Sequence, residues 1–395
     1  MSENNEIKEP LNKNNKVPKL RFKGFEEDWI LVNFYNHFTY FSTNSLSWDE
    51  LNYNSGDYLN LHYGIIHSIN SNFILSSSLP FINQDKLPKR FTLINEGDLI
   101  LADTSEDRKD AAKGIEIINQ SNAHILSGLH TIHLREKAPC TIPGFKTYYV
   151  ASKSFRNFTR KYCEGIKVFS IKPSLLKYTH FAYPQNKYEQ FMIVDFLNKI
   201  EDKKAILEKK IDILKKYKKG MQKNIFDSSK TKEYLILKNI VKFENKSKIP
   251  ANSSIENGNY ILYKSGQKNG MINNYSHEGV YIIANDGGIA QFKLTSGKFA
   301  YTDHCICFRC QSDEETIVLC NYLQSLEKKI TYVGFTGTGL KNIDRQYLGM
   351  IRIPKVDNKK IAKSFNLIDE AIRNYGNILE KITIIKKLLL KQMFI

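Results

Sequence analysis

At 395 residues, with 42% hydrophobic and 12% aromatic side chains, the chain is long enough for two to three folded domains, and its composition excludes a disordered protein. Its formal charge of +17 points to a polyanionic partner, although 48 lysines against 10 arginines, amid abundant Asn and Ile, is also what drift toward AT-rich codons produces. Six scattered cysteines lack the spacing of a disulfide framework, the start is polar, and no apolar run reaches the ~18–20 residues that span a bilayer. A cytoplasmic protein with reduced thiols is expected.

Residues 1–19 read as a charged, Asn-rich flexible tail without apolar periodicity. A mixed segment, 20–184, follows. Its strand-like runs Asp98–Ala102 and Leu129–Leu134 are punctuated by Gly97, Gly114, Gly128 and Gly144. A long helix is expected over 185–227, opening after Pro184, where proline is tolerated. The polar run DSSKTK then leads into a second mixed segment within 228–354, rich in glycine and strand-like runs, and a second long helix over 355–395.

The two helices repeat one pattern. Ile193, Ile200, Leu207, Leu214 and Met221 recur at intervals of seven, and so do Ile361, Ile368, Tyr375, Ile382 and Leu389, each 168 positions after its counterpart. A second seam lies four residues on: Leu197, Lys204, Ile211, Lys218 and Ile225 in one helix, Phe365, Ile372, Leu379, Lys386 and Met393 in the other. Steps of four and three keep both seams on one side of a helix, the coiled-coil pattern. Two such helices in one chain bury their seams most simply against each other. Lys204 and Lys218 are expected to snorkel and weaken the seam they sit on. The remaining lysines, Lys215, Lys216, Lys219 and Lys223 among them, read as a solvated face or a cover over phosphates.

The repeat extends to the edges of the mixed segments. Trp29-Ile-Leu-Val resembles Tyr234-Leu-Ile-Leu, and Gly165 and Gly339 each precede a closing run that ends at Pro184 or Pro354. The interiors between are dissimilar. Matched frames around unmatched interiors predict a common scaffold with two specificities.

Motifs for chemistry fail on spacing. Gly334–Lys341 lacks the GK[ST] of a phosphate-binding loop and reads as a tight turn. His304-Cys305-x-Cys307-x2-Cys310 lies in a run, Tyr301–Cys310, that alternates like a strand and splits its ligands between two faces, so buried cysteines are expected and no metal site. His130-x2-His133 is read as structural in the same way, and no catalytic residues are expected. Candidate base readers lie in polar loops, because Arg, Lys, Asn and Gln pair with base edges. The first head offers Lys86, Lys89, Arg90, Arg108, Lys109, Arg156, Arg160 and Lys161. The second offers Lys264, Gln267, Lys268, Asn269, Asn273, Asn274, Lys341 and Arg345.

Several of these runs together resemble the specificity subunits of type I restriction–modification enzymes. They are Pro18-Lys-Leu-Arg21-Phe-x-Gly24-Phe25-x3-Trp29, Glu96-Gly97-Asp98-Leu-Ile, Gly339-Leu-Lys-Asn-Ile-Asp344…Ile351-x-Ile353-Pro354, and the helix endings Lys219-Gly-Met-Gln…Ile225-Phe226 and Leu389-Leu-Lys-Gln-Met393-Phe394. The resemblance covers residues 18–395. At the close of the first head, Tyr178-Thr-His-Phe-Ala-Tyr departs from the pattern. The resemblance implies an α+β architecture: two α/β target-recognition domains separated by two long helices that pack as an antiparallel coiled coil. Each domain would read one half of a bipartite double-stranded DNA target, and the helices would set the spacer. Two methyltransferase subunits would dock, bringing S-adenosylmethionine for adenine N6-methylation. Restriction subunits would bring ATP, magnesium and translocation. This chain would hold no cofactor of its own. Two readings from other classes stand beside it: a coiled-coil adaptor joining two protein-binding heads, and a nuclease or methyltransferase domain hidden within a head.

Overall fold

The computed structural model describes residues 17–69, 78–118, 123–227, 233–266, 268–337 and 341–395. Most of the expected tail (1–16), the linker residues 228–232, Gln267 and Gly339 lie outside the described residues. The chain divides into two compact units, Met1–Ala205 with Glu380–Ile395, and Ile206–Leu379. Each unit therefore contains one head and a part of both long helices.

In the first unit, β1 (Ile30–Asn33) leads to β2 (Phe38–Phe41), β3 (Leu51–Asn52), β4 (Tyr58–Leu61) and β5 (Phe81–Ile82). Then come β6 (Leu99–Ala102), β7 (Thr104–Ser105), β8 (Gly114–Glu116) and β9 (His124–Ser127). β10 (Thr131–Glu136), two short helices (Phe145–Ala151 and Lys153–Tyr162), β11 (Phe169–Ser170) and β12 (His180–Tyr183) complete it. One sheet has the order β2-β10-β6-β8, antiparallel throughout; the other has the order β3-β5-β4-β9, with β4 and β9 parallel. β6 is apolar along its whole length because both its faces are covered. Leu99 and Leu101 face the helices, and Ile100 and Ala102 face the second sheet.

The second unit repeats this plan. Its strands are β13 (Tyr234–Ile236), β14 (Lys242–Phe243), β15 (Tyr260–Tyr263), β16 (Gly270–Ile272), β17 (His277–Glu278) and β18 (Ile282–Asn285). They continue with β19 (Phe292–Leu294), β20 (Lys298–Tyr301), β21 (Cys305–Arg309), β22 (Phe335–Thr336), β23 (Asn342–Ile343) and β24 (Arg352–Pro354). The order β14-β21-β18-β19 matches β2-β10-β6-β8, and the parallel pair β15–β20, with β16 antiparallel beside it, matches β4–β9 and β5. Ile282 and Ala284 of β18 pack on the helix side, and Ile283 packs toward the second sheet. The dissimilar interiors are thus one topology built twice. The matched edges are its base: β1 pairs with β12 and β13 with β24, each antiparallel, so each head is tied off where it meets the helices.

Two expected strands are corrected. The run from Leu129 begins its strand only at Thr131, because His130 has φ +55, outside the strand region, and it extends to Glu136. The run Tyr301–Cys310 is two strands, β20 and β21, broken by the turn at Thr302–His304.

The long helices span Lys187–Ile225, capped by the Asn186 side chain, and Asn358–Gln392. All twenty seam positions are buried or half-buried. Pairings within each unit run in opposite senses along the two helices. In the first unit Glu201 meets Lys386; in the second Lys218 Nζ lies 2.7 Å from Asp369 Oδ1, and Phe226 stacks on Phe365. The seam lysines are therefore ion-paired rather than snorkelling: Lys204 too bonds Glu201, at 3.3 Å. A polar layer in an apolar seam penalises a slipped register more than it adds stability.

Polar anchors lock the first helix to its head. Glu189, fully buried, takes a bidentate pair from Arg21 (2.7 and 2.8 Å) and the Trp29 indole N–H (3.2 Å), so the opening motif is a clamp on the helix start. Gln190 donates to the Pro184 and Cys140 carbonyls and accepts from the Ile142 amide. The expected second helix stops before the chain does. Met393 and Phe394 leave it and enter the core of the first unit, the Phe394 ring lying 6.0 Å from that of Trp29 and 5.7 Å from that of Phe145. Replacing Phe394 by Ala should cost about 3–5 kcal/mol, seen in calorimetry as a fall of the first unit's transition with the second unchanged.

Glu136, at the end of β10, gathers Thr141, two backbone amides, His37, Cys140 and Lys146. Burial pushes its carboxyl up, but these donors, His37 and the Lys146 charge foremost, outweigh it and hold the group at about 2 instead of 4.5. A carboxylate depressed on folding stabilises the fold above its unfolded pKa and loses that contribution as pH falls through the folded one. The loss is expected between about pH 4.5 and 2 and should amount to about 3 kcal/mol. Acid titration of unfolding in Glu136→Gln should be shallower across that window; an identical acid limb would show that the carboxylate is not held down.

Candidate nucleic-acid interface

In the first head, the candidates fall at separate places on the scaffold. Lys86 and Arg90 line an open cleft of about 410 Å³ with Ser42, Thr43, Asn44 and Phe91, and Lys89 is exposed between them. Arg108 and Lys109 stand on the exposed turn after β7, where the Arg108 guanidinium lies 5.9 Å from the Phe169 ring. Arg160 and Lys161 are exposed in the last turn of the helix Lys153–Tyr162. Arg156, on the same helix, is a correction. Its guanidinium donates to the Ala111 and Ala112 carbonyls, each at 2.9 Å, and burial lowers its pKa to about 10. It holds the 106–112 turn in place and is not free to reach a base.

In the second head, the structure draws most candidates together. Lys264, Lys268 and Asn269 belong to the loop joining β15 and β16, and Asn273 and Asn274 are exposed just after β16. The Ser265 hydroxyl reaches the Gly287 carbonyl at 3.4 Å, the Gly288 amide donates to the Lys341 carbonyl at 2.9 Å, and Arg345 lies 3.8 Å from Asp286. Residues 264–266, 268 and 269, the turn at Asp286–Gly288, Lys341 and Arg345 thus form one basic edge.

Two lysines that sequence reasoning passed over hold these edges. Lys293 Nζ donates to the carbonyls of Lys264 (2.8 Å) and Gly266 (2.6 Å) and to Asn269 Oδ1 (3.0 Å). Lys113 Nζ donates to the His67 and Ile69 carbonyls at 3.1 and 2.9 Å. Burial lowers the pKa of both. Each approaches along the edge strand of its four-stranded sheet and fixes the segment that follows β4 or β15. Nothing in the spacing of either lysine marks it, because the carbonyls it binds are distant in sequence.

Cys305 and Cys307 pack against Tyr263, Phe299 and Tyr301, whereas Cys310 lies in the other core; burial raises all three thiols, Cys310 to about 12. His133 is fully buried and bonds Asp98 at 2.7 Å, a carboxylate that Arg135 also grips bidentately, which accounts for the Glu96-Gly97-Asp98 motif. His37, Glu136 and Cys140 approach one another within 3.4 Å, but Glu136 already has protein donors on both oxygens.

A second surface lies on the helices. Ile206, Ile213 and Tyr217 of the first helix and Leu367 and Ile378 of the second are 41–61% exposed, and each stands one residue before a seam position. In the first unit Phe196, Ile385 and Leu388 do the same. All therefore occupy one flank of their seam, and in an antiparallel pair like flanks meet on the same side. An exposed apolar stripe of this kind marks an interaction surface. No helix among the described residues is long and apolar enough to cross a membrane.

Residues 229–383 match the family model of the type I restriction modification DNA specificity domain. The S subunit of the type I restriction-modification system from M. genitalium is similar over 96% of this chain and 99% of its own, with a TM-score of 0.65 at 17% identity. The HsdS subunit from Thermoanaerobacter tengcongensis matches at a TM-score of 0.38 and 13% identity, over 93% of this chain and 96% of that one. No curated protein matches. The second head lies within the matched segment, and the first repeats its strand order. The resemblance to specificity subunits of type I restriction–modification enzymes holds: residues 229–383 match the type I DNA specificity domain family, and the chain shares its fold with the M. genitalium S subunit over nearly its whole length.

Proposed function

We propose that this chain is the sequence-specific DNA-binding subunit of a type I restriction–modification complex in the cytoplasm, each head reading one half of a bipartite target. The family is the non-catalytic recognition component of such systems. One observation carries the reading: a single scaffold is built twice, and it carries unlike loops with basic side chains each time. Equal scaffolds give two readers, and unequal loops give them different base sequences. Head boundaries at 20–184 and 228–354 are supported by the ladders β1–β12 and β13–β24, which tie the heads off at Ile30 and Tyr183 and at Tyr234 and Pro354. The excess of lysine supplies the sequence-independent attraction to phosphates.

The helices have two tasks in this reading. Their length sets the spacer between half-sites, and their exposed apolar flank receives two methyltransferase subunits, which carry S-adenosylmethionine. ATP and magnesium belong to the restriction subunits. Support comes from chemistry: a stripe of Ile, Leu and Tyr beside ion-paired seams suits a partner helix, not a phosphate backbone. The same stripe favours the adaptor reading, in which the heads too bind protein. Salt-dependent, sequence-selective binding of duplex DNA by the assembled complex separates the two.

Exchanging residues 234–354 for the equivalent head of a relative should change one half-site of the methylated sequence and leave the other. Mapping methylated adenines in cells checks this, and a change in both half-sites would contradict two independent readers. Ile213→Glu with Leu367→Glu should abolish co-purification with the methyltransferase subunit while the chain keeps its helical content by circular dichroism. Retained co-purification would place the docking surface elsewhere.

A further inference from the structure

At one junction the two heads agree in side chains as well as in strands. β6 ends at Ala102, paired with Thr131, and β18 ends at Asn285, paired with Cys305. The next residue after each strand is an aspartate, Asp103 or Asp286. The residue before each partner strand is a histidine, His130 or His304. The backbone is locked identically: the Asp103 amide donates to the His130 carbonyl at 3.0 Å, and the Asp286 amide to the His304 carbonyl at 3.0 Å. Each aspartate carbonyl then accepts from an isoleucine amide at 2.8 Å, that of Ile171 or Ile343.

The strand junction itself does not use these imidazoles, although the His130 ring packs edge-on against Tyr63 at 5.3 Å. The lock uses backbone atoms alone, and the side chains are 47% exposed at His130 and 66% at His304. His130 has a positive φ of 55, a conformation in which glycine is less strained. Its Nδ1 lies 3.3 Å from both Asp103 Oδ1 and Thr104 Oγ1, and His304 Nε2 lies 3.9 Å from Asp303 Oδ1. Both junctions lie among the candidate readers. Arg108 and Lys109 follow β7 in the first head, and Lys341 and Arg345 flank the turn in the second.

We propose that His130 and His304 are phosphate contacts that set the register of each head on DNA, each donating an imidazole N–H to a phosphate oxygen. The inference rests on the DNA-specificity reading and goes beyond it. Two heads with unlike loops read unlike bases, so a residue kept in both at the same point must meet something common to both half-sites. The sugar–phosphate backbone is that common element. Phosphate contacts position a protein, and base contacts specify the sequence. A base-reading residue would have diverged with its loop.

The test uses the complete complex with its modification subunit, a duplex carrying the mapped target, and an unrelated duplex of the same length. His304→Ala and His130→Gly should each weaken binding to both duplexes by about tenfold, the worth of one charge-assisted hydrogen bond. The methylated sequence should stay the same, and His304→Gln, which keeps an N–H donor, should recover most of the loss. His130→Gly relieves the positive φ, so its unfolding temperature should hold or rise while binding falls, a combination a structural role cannot give. Unchanged binding in both variants, or a changed recognition sequence, overturns the proposal. A wild-type complex that does not distinguish target from unrelated duplex overturns the DNA reading itself.

Discussion

The antiparallel burial of two apolar seams governs this molecule. An isolated helix of this length with a two-row apolar face is unstable in water, because it gains little from its own hydrogen bonds and exposes the rows. Pairing the helices antiparallel removes the exposure. It also places the start of one helix beside the end of the other within each unit. Consequently each head is held by both helices. The first unit is closed by the chain end: Leu20 donates to the Gln392 carbonyl, and Phe394 packs on Trp29. The second unit carries the matching arrangement at Ile225 and Phe226, which pack with Phe365.

Polar groups in these contacts choose between alternatives rather than strengthen one. Glu189 without Arg21 and the Trp29 indole would be a buried, uncompensated carboxylate, costly by several kcal/mol. With them it permits a single docking of the N-terminal segment on the helix. Lys218 and Asp369 act likewise in the seam. A slip by one heptad leaves both charges facing apolar side chains, so the register is fixed by the penalty for error.

The helices, their seams and the tied-off head edges were legible in the sequence because seven-residue periodicity and paired edge motifs survive as local patterns. The interiors were not. Their strands are two to six residues long and pair across large separations, so one topology can carry two unlike sequences without a shared local signal. The break at Thr302–His304 escaped notice because no glycine or proline marks it. Arg156 has the residue type of a reader in a run that reads as a polar loop; its place on the helix Lys153–Tyr162 and the approach of the Ala111 and Ala112 carbonyls assign it to the scaffold. The apolar flank was hidden for a different reason. Ile213 and Tyr217 stand inside a run of lysines, and a residue one place from a seam reads as part of it.

The lysine clamps explain how one scaffold tolerates two sets of loops. A buried ammonium is expensive unless it finds several acceptors, and Lys293 finds three, two of them backbone carbonyls. Carbonyls are present whatever side chains the loop carries. A clamp that grips mainly carbonyls fixes the path of the loop and, Asn269 apart, does not itself engage its side chains. Lys113 does the same for a segment of different length and sequence. Stability of the edge is thereby separated from the identity of the residues displayed on it, and base-reading side chains can change without unfolding the surface that presents them.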